Sequence, residues 1–204
     1  MGSKFYSTSS FIYSHWLKVM ARIKTFKNFV TPVECAELNA WVEQGVMRRW
    51  LDLGRNENAK RLTTRMYGER FVYPNLAYKI SKRICNWLSL SSAQVVEGHG
   101  KDGIVVSYTL PGGDVYPHQD PPPQEMSALR CNVVTQSPDD GGELFVDGQH
   151  IPLEAGELHC YLASEHTHYV TEVKGETPRI LWMFGFCVLA DEWESGKTKT
   201  GEFA

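Results

Sequence analysis

Closely spaced turn signals in the second half of the chain constrain its fold more than any other feature. From Val95 onward, short apolar runs are separated by Pro-Gly-Gly at 111–113, Pro-Asp-Asp-Gly-Gly at 138–142 and Ala-Gly-Glu at 155–157. Short strands with turns at such spacing are typical of an all-β barrel or a jelly roll. The sequence therefore predicts a mainly β fold, with a β core over residues 94–190.

Two helices are predicted before this core, in a supporting region over residues 31–90. Thr31 is a capping residue, Pro32 suits the first helical position and Glu34 lies three residues after the cap, so a helix should run to about Gly45. A second helix should follow Pro74 and run to about Leu88, because apolar residues recur there at four-residue steps. The residues expected to face the core are Leu38, Trp41, Val42, Leu76, Ile80, Ile84 and Leu88.

The connection between the helices and the two ends of the chain complete the expected organisation. Residues 51–69 are polar and contain glycine, and we expect a strand near 61–66 and a lid over the site. With 204 residues, of which 42% are apolar, one core suffices. We expect a single domain over 25–191, preceded by an extension (1–24) and followed by a flexible tail (192–204).

Cysteine usage and hydropathy bear on the compartment. The five cysteines are odd in number and form no CxxC pair, so neither a disulfide framework nor a zinc site is predicted. A reducing cytoplasm is the expected location, and it would keep ferrous iron available. Polar residues interrupt the apolar stretch 11–20, so we expect no signal peptide, no membrane span and no membrane partner.

The charge is distributed unevenly along the chain. Residues 1–93 carry 15 Lys and Arg against 6 Asp and Glu, whereas the remainder carries 6 against 18. Solvated helix faces in front of an acidic barrel would produce this pattern. The alternative is a basic surface, made of Arg55, Lys60, Arg61, Arg65 and Arg70, that meets an anionic substrate such as a nucleotide or nucleic acid.

A histidine and an aspartate two residues apart suggest a metal site. His118 and Asp120 lie in the extended segment 115–120, where side chains alternate between faces, so both point the same way. With a second imidazole from a distant strand they would form the facial triad of non-haem Fe(II) oxygenases, which leaves coordination positions open. The pair alone is a short motif that often arises by chance.

A downstream segment can supply the missing groups. His168 is followed, after a turn that contains Gly175, by Arg179 at the start of an apolar run that predicts a buried strand through Phe186. This places an imidazole and a guanidinium on neighbouring strands of one sheet. The planar guanidinium can bind a carboxylate bidentately, so Arg179 is the candidate for the far end of an acidic cosubstrate. His166 is the alternative metal ligand.

This ordered set resembles the Fe(II)- and 2-oxoglutarate-dependent dioxygenase superfamily, in particular its small prolyl-hydroxylase-like members. The likeness runs from about Phe26 to Phe186. The motifs that carry it are Tyr108, Gly112-Gly113, Pro117-His118-Gln119-Asp120, Gly141-Gly142-Glu143-Leu144, Ala155-Gly156-Glu157-Leu158, His168-Tyr169-Val170 and the segment 175–179. The resemblance implies a double-stranded β-helix (jelly-roll, cupin-like) core with flanking helices.

The resemblance also assigns roles to residues. It implies that His118, Asp120 and His168 hold the catalytic Fe(II) and that Arg179 binds the distal carboxylate of 2-oxoglutarate. It favours His168 over His166, because the Tyr-Val that follows and the spacing to Arg179 match the family pattern. The resemblance is specific for the reaction class and says little about the substrate.

Further residues are open to two interpretations each. The Tyr108 phenol would either hydrogen-bond 2-oxoglutarate or pack. Arg130 and Asn132 share one face of a strand, where they would either point inward, Asn132 to the cofactor and Arg130 to the substrate, or face water. Half-buried His159 is expected to be no ligand, and Trp182 is expected in the core. We expect His15, His99 and His150 at the surface.

The implied reaction couples oxidative decarboxylation of 2-oxoglutarate to hydroxylation of a C–H bond, with Fe(II), O2 and ascorbate as reductant. The expected substrate is an amino acid, a peptidyl side chain or a small natural product. An AlkB-like nucleobase oxygenase is the alternative, since the segment 61–68 resembles its base-recognition region, but Arg179 lacks the basic companion of that branch before Phe186. A catalytically silent jelly-roll binding module is the non-enzymatic alternative.

Overall fold

Antiparallel sheets form the body of the protein in the computed structural model, which describes residues 23–47, 52–53, 60–64, 72–89, 103–121 and 125–194. The seven-stranded main sheet has the order β1 (Lys24–Phe26), β10 (Leu158–Leu162), β6 (Ser127–Gln136), β13 (Arg179–Val188), β4 (Ile104–Thr109), β3 (Arg61–Thr63), β2 (Asp52–Leu53). The four-stranded minor sheet has the order β5 (Val115–His118), β11 (His168–Val170), β8 (Leu144–Val146), β9 (Gln149–Ile151). A third pair joins β12 (Val173–Lys174) to β7 (Asp140–Gly141).

Alternation along the central strands of the main sheet creates two different faces. One face is apolar and packs with the helices in the larger hydrophobic cluster, to which β13 contributes Ile180, Trp182 and Phe184. The other face turns toward the minor sheet, where a smaller apolar cluster includes Tyr161 and Val146. The predicted mainly β jelly-roll architecture with flanking helices is confirmed.

Both predicted helices are present and cover the main sheet. Helix α1 (Pro32–Met47) begins with the expected capping box, in which the Glu34 amide donates to Thr31 Oγ1 at 3.3 Å and the Thr31 amide donates to Glu34 Oε2 at 2.9 Å. Helix α2 is Asn75–Trp87. Of the predicted core residues, Leu38, Val42, Leu76, Ile80, Ile84 and Leu88 are buried, and Trp41 is partly buried against them.

The predicted flexible tail starts too early. Helix α3 (Ala190–Glu194) continues the fold beyond residue 192, and Trp193 is 3% exposed. The Lys24 ammonium lies 4.0 Å from the centre of the Trp193 ring and donates to the Trp193 carbonyl at 3.2 Å. Burial of a large aromatic ring therefore keeps residues 192–194 in the folded part.

The predicted lid and the basic surface fall mostly outside the described residues. Of the connection 51–69, residues 52–53 and 60–64 are described, and they place β2 and β3 at one edge of the main sheet. Arg55, Arg65 and Arg70 lie outside the described residues, as do His15 and His99. None of the described helices is long and apolar enough to cross a membrane.

Candidate metal and cosubstrate site

Two strands of the minor sheet bring three potential metal ligands together. His118 at the end of β5 and His168 at the start of β11 are direct register partners, with ring centroids 4.3 Å apart. Asp120 lies two residues after His118, and its Oδ1 is 3.8 Å from His118 Nε2. One donor atom from each of the three residues lies within 4.8 Å of the other two. Within the described part of the chain, this is the group of histidine, cysteine and carboxylate side chains arranged to hold a metal ion.

Main-chain carbonyls set the orientation of both imidazoles. His118 Nδ1 lies 2.9 Å from the Tyr116 carbonyl, and His168 Nδ1 lies 3.0 Å from the His166 carbonyl. A carbonyl only accepts, so each Nδ1 carries the hydrogen and each Nε2 keeps its lone pair for a metal. Burial lowers the pKa of His168, which favours the same neutral form.

The other described histidines lie apart from this group. His166 Nδ1 is bound to Asp147 Oδ2 at 2.7 Å, in the turn between β8 and β9, so the structure assembles the site with His168 and not with His166. His159 is fully buried, and burial followed by the nearby Arg179 charge lowers its pKa to about 3. It is neutral at physiological pH and takes no part in the group. His150 is exposed, as predicted.

Arg130 holds the second oxygen of the Asp120 carboxylate. Its Nε donates to Asp120 Oδ2 at 2.6 Å, and the Asp120 amide donates to the Ala163 carbonyl at 2.9 Å. Burial alone would raise the pKa of Asp120, but the charge and hydrogen bond of Arg130 outweigh it and the pKa lies below its usual value. The carboxylate is therefore ionised, with Oδ1 left for a metal. Of the two orientations considered for Arg130, the structure shows the inward one, in which its guanidinium contacts the Asp120 carboxylate.

A glycine on the neighbouring strand makes room for this arginine. Gly185 of β13 is the register partner of Arg130 on β6. A Cβ built on Gly185 would lie 2.6 Å from Arg130 Nη1, which is closer than nonbonded atoms approach. A side chain at position 185 would therefore displace the guanidinium from its place beside Asp120.

Arg179 is a buried cation without a counter-ion among the described residues. It starts β13, is 3% exposed, and forms no hydrogen bond or ion pair with the rest of the described chain. A Cβ on Gly142 would lie 3.0 Å from Arg179 Cδ, so the glycine leaves space for the arginine stem. Burial and then the charge of Arg61 lower the pKa of Arg179 to about 10, which still leaves it protonated at neutral pH. Such a group is suited to bind an anion.

The position of Tyr108 favours packing over cosubstrate binding. On β4, Ile104, Val106 and Tyr108 belong to the helix-covered cluster, whereas Ser107 and Thr109 point to the other face. Thr109, and not Tyr108, is the register partner of Arg179. Of the two interpretations of Tyr108, the geometry favours packing, because its strand directs the phenol away from Arg179.

Tyr161 is the inward-facing tyrosine that the sequence did not single out. It is buried on β10 beside Arg130, and its ring lies edge-on to His168 at 5.3 Å between centroids. Asn132 also points inward, and its Nδ2 lies 3.4 Å from the Tyr161 hydroxyl. Asn132 Oδ1 is buried and has no hydrogen-bond partner in the described part of the chain, so it can receive a donor from a ligand. Burial raises the pKa of Tyr161, which therefore keeps its proton.

Structural comparison identifies proteins with the same fold. A viral collagen prolyl hydroxylase from Paramecium bursaria Chlorella virus-1, in complex with 2-oxoglutarate, is 19% identical with a TM-score of 0.60, over 82% of this chain and 96% of that chain. A prolyl-4-hydroxylase from Pseudomonas putida is 15% identical with a TM-score of 0.60, over 82% and 92%. HygX from Streptomyces hygroscopicus, with nickel, 2-oxoglutarate and hygromycin B bound, is 12% identical with a TM-score of 0.53, over 86% of each chain.

The likeness lies in the structure and not in the overall sequence. No protein-family model and no curated protein matches the sequence. At such low identity the structural matches show the fold, and they confirm the jelly roll implied by the motifs. The chemistry is therefore inferred from the residues of the site.

Proposed function

We propose that the protein is an Fe(II)- and 2-oxoglutarate-dependent dioxygenase that hydroxylates a C–H bond of an amino acid, a peptidyl side chain or a small natural product. The main support for the proposal is that a group of potential metal ligands and a buried arginine occur together between the main and minor sheets. One donor atom from each of two imidazoles and one ionised carboxylate lies within 4.8 Å of the other two, and the buried Arg179 has no anion among the described residues. Two His and one carboxylate on one face are typical of non-haem Fe(II) oxygenases.

The residues present fit the cofactor and the cosubstrate. His118, Asp120 and His168 would hold Fe(II), and Arg179 would hold the distal carboxylate of 2-oxoglutarate. Asn132 Oδ1, which lacks a partner among the described residues, is a candidate acceptor for a water that accompanies the bound cosubstrate. With both bound, the site supplies a reaction in which O2 gives one oxygen atom to succinate, released with CO2, and the other to the substrate as a hydroxyl group.

The contribution of the protein is to orient these groups and to limit the access of water. The carbonyls of Tyr116 and His166 fix the two imidazoles, and Arg130 fixes the carboxylate. His118 is the most exposed of the three ligands, with 34% of its side chain accessible, so the substrate is expected to approach from its side. The apolar residues between the sheets shield the opposite side.

The direct test is a measurement of succinate release with Fe(II), ascorbate and 2-oxoglutarate. The substrates would be amino acids, peptides, small natural products and, for the AlkB-like alternative, methylated oligonucleotides. We expect release to be stimulated by members of the first three groups. Stimulation by oligonucleotides alone would favour the nucleobase alternative, and stoichiometric iron binding without succinate from any candidate would favour the silent binding module.

Arg179 provides a second test that separates cosubstrate binding from metal binding. Arg179→Ala should raise the Kd for 2-oxoglutarate by an amount equivalent to about 2 kcal/mol, because a charge-assisted bidentate pair is lost. Arg179→Lys keeps the charge without the planar fork and should give an intermediate Kd. The affinity for Ni(II), used as an inert substitute for Fe(II), should be unchanged in both variants. An unchanged Kd for 2-oxoglutarate in the alanine variant would assign its distal carboxylate to another cation.

A further inference from the structure

A second arginine enters the same interior from the edge of the main sheet. Arg61 of β3 and Arg179 of β13 are both register partners of Thr109 on the intervening strand β4. Register partners on neighbouring strands share a face, so both arginines point toward the interior that contains the metal ligands. Arg61 Nε donates to Ser107 Oγ at 2.8 Å, which fixes the side chain in this direction.

The terminal nitrogens of Arg61 are left without a partner by the described residues. Apart from the bond to Ser107, Arg61 forms no hydrogen bond or ion pair within the described part of the chain. The acidic group whose charge stabilises protonated Arg61 is Asp120, but Asp120 Oδ2 already accepts a hydrogen bond from Arg130. Burial lowers the pKa of Arg61, which reflects the cost of keeping this cation away from water.

Bound iron and 2-oxoglutarate would not neutralise this charge. In the proposed function, Asp120 and one carboxylate of 2-oxoglutarate balance the two charges of Fe(II), and the distal carboxylate balances Arg179. Arg130 is held against Asp120. Because Asp120 is then shared between the iron and Arg130, the interior keeps an excess of positive charge, and Arg61 is the arginine among its described residues that contacts no carboxylate.

The surroundings of Arg61 place it on the side of the metal ligands that is open to a substrate. The charge of Arg61 is influenced by Asp120, Arg130, Tyr161 and Tyr116, whereas that of Arg179 is influenced by Arg61 and Tyr161, so Asp120, Arg130 and Tyr116 act on Arg61 alone of the two. Tyr116 is 56% exposed, and its ring centroid is 5.9 Å from that of His118. An anion on Arg61 would thus lie near the exposed ligand His118, next to an accessible aromatic ring.

We propose that Arg61 and Tyr116 form a substrate subsite for a small carboxylic acid, with the carboxylate on the Arg61 guanidinium and the apolar part of the molecule against the Tyr116 ring. Because Ser107 occupies Nε, the two terminal nitrogens remain as a planar fork that matches a carboxylate. This inference rests on the proposed function and narrows its substrate class: a free acid fits the site, and a polycation does not.

Calorimetric titration of the protein loaded with Ni(II) and 2-oxoglutarate tests the subsite without turnover. The probes are a panel of N-acetyl amino acids, each as the free acid and as the carboxamide, with phenyl phosphate as the phosphate probe. We expect acids to bind, and each acid to bind at least about tenfold more tightly than its amide. Binding of no acid, equal binding of acids and amides, or a preference for phenyl phosphate over every acid would overturn the proposal.

Matched variants assign the effect to the two residues. Arg61→Gln should weaken acid binding roughly ten- to hundredfold and leave amide binding unchanged. Arg61→Lys keeps the charge and should retain part of the preference for the acid over the amide. Tyr116→Ala should weaken acid and amide equally. Lys60→Gln removes the same charge from an exposed neighbour and serves as the control, with acid binding within about twofold of wild type. Wild-type acid affinity in Arg61→Gln would overturn the proposal.

A parallel titration with 2-oxoglutarate separates this inference from the proposed function. Arg61→Gln should bind 2-oxoglutarate like the wild type, and this also shows that the variant is folded. A loss of 2-oxoglutarate affinity as large as that of Arg179→Ala would assign Arg61 to the cosubstrate and overturn the subsite. If the wild-type protein does not bind 2-oxoglutarate, the proposed function fails, while the acid preference and its dependence on Arg61 remain measurable on the protein without 2-oxoglutarate.

Discussion

On β6 the side chains of Cys131 and Val133 lie in the helix-covered core, while those of Arg130 and Asn132 face the candidate metal centre. The same contrast is found on β10, where Cys160 is in the core and Tyr161 faces His168. One face contributes apolar burial, which stabilises the fold. The other face buries ionised and polar groups, which cost free energy unless they are paired. The difference indicates that substitutions on the helix-covered face should lower the stability of the protein, whereas substitutions on the inner face should weaken metal or cosubstrate binding.

The three candidate metal ligands should show the largest effect. Alanine at His118, Asp120 or His168 should abolish succinate release and weaken Ni(II) binding by more than about a hundredfold, because three donors leave no spare ligand. His166→Ala is the matched control, since its side chain is bound to Asp147 and not directed to the site. Metal titration followed by the succinate assay measures both quantities. Loss of metal in His166→Ala with retention in His168→Ala would reverse the ligand assignment.

On the opposite face, the effect should be on stability. Trp182 is fully buried and contacts Trp41 at 5.5 Å between ring centroids. Trp182→Ala should lower the free energy of unfolding by about 3–5 kcal/mol, because it removes a large buried ring and leaves a cavity. Denaturant unfolding measures the loss. At low temperature, the fraction that remains folded should bind Ni(II) with the wild-type Kd, and a changed Kd would mean that the faces are not independent.

Arg130 should show an intermediate effect, restricted to the inner face. Arg130→Met keeps the length of the side chain but removes the contact with Asp120, and it should weaken metal binding roughly ten- to hundredfold. Gly185→Ala should act in the same direction without touching Arg130 chemically, because its methyl group displaces the guanidinium. The double variant should be no worse than Arg130→Met alone. Additive losses of metal affinity would mean that Gly185→Ala weakens metal binding by a mechanism that does not involve Arg130.

The smallest effect is expected for Tyr108, and it sharpens the distinction between the faces. Removal of the hydroxyl in Tyr108→Phe should change the Kd for 2-oxoglutarate by less than about twofold, because the residue belongs to the helix-side cluster. Tyr161→Phe is the matched variant on the inner face, where the hydroxyl contacts Asn132. Tyr161→Phe should change the Kd for 2-oxoglutarate more than Tyr108→Phe does. The reverse order would restore Tyr108 as a cosubstrate contact.

The sequence predicts those parts of the site that depend on local periodicity. His118 and Asp120 share a face because they are two residues apart in an extended segment, and the motif around His168 distinguishes it from His166. The capping box of α1 and the apolar steps of α2 are equally local. These features are formed within a few residues, so they need no knowledge of the distant chain.

The features that the sequence does not predict depend on pairing between distant strands. The turn at 111–113 separates the strands of Tyr108 and His118. Counting alternate residues across this turn therefore does not show whether the two side chains share a face. Tyr161 lies in the run Leu158–Leu162, which is buried at every position, so its alternation does not reveal that the face of Tyr161 meets His168. The contact of Arg130 with Asp120 depends on how the strand β6 lies against the segment after β5, which no motif encodes.

The close approach of Gly185 to Arg130 has a consequence for how related chains change over time. The two positions are 55 residues apart in the sequence yet occupy one volume across β6 and β13. A larger residue at 185 leaves no room for the Arg130 guanidinium in its place beside Asp120, and a chain that loses the arginine no longer needs the glycine. We therefore expect the two positions to covary, and an Arg–Gly combination at them to mark chains in which the metal-binding carboxylate is supported in this way.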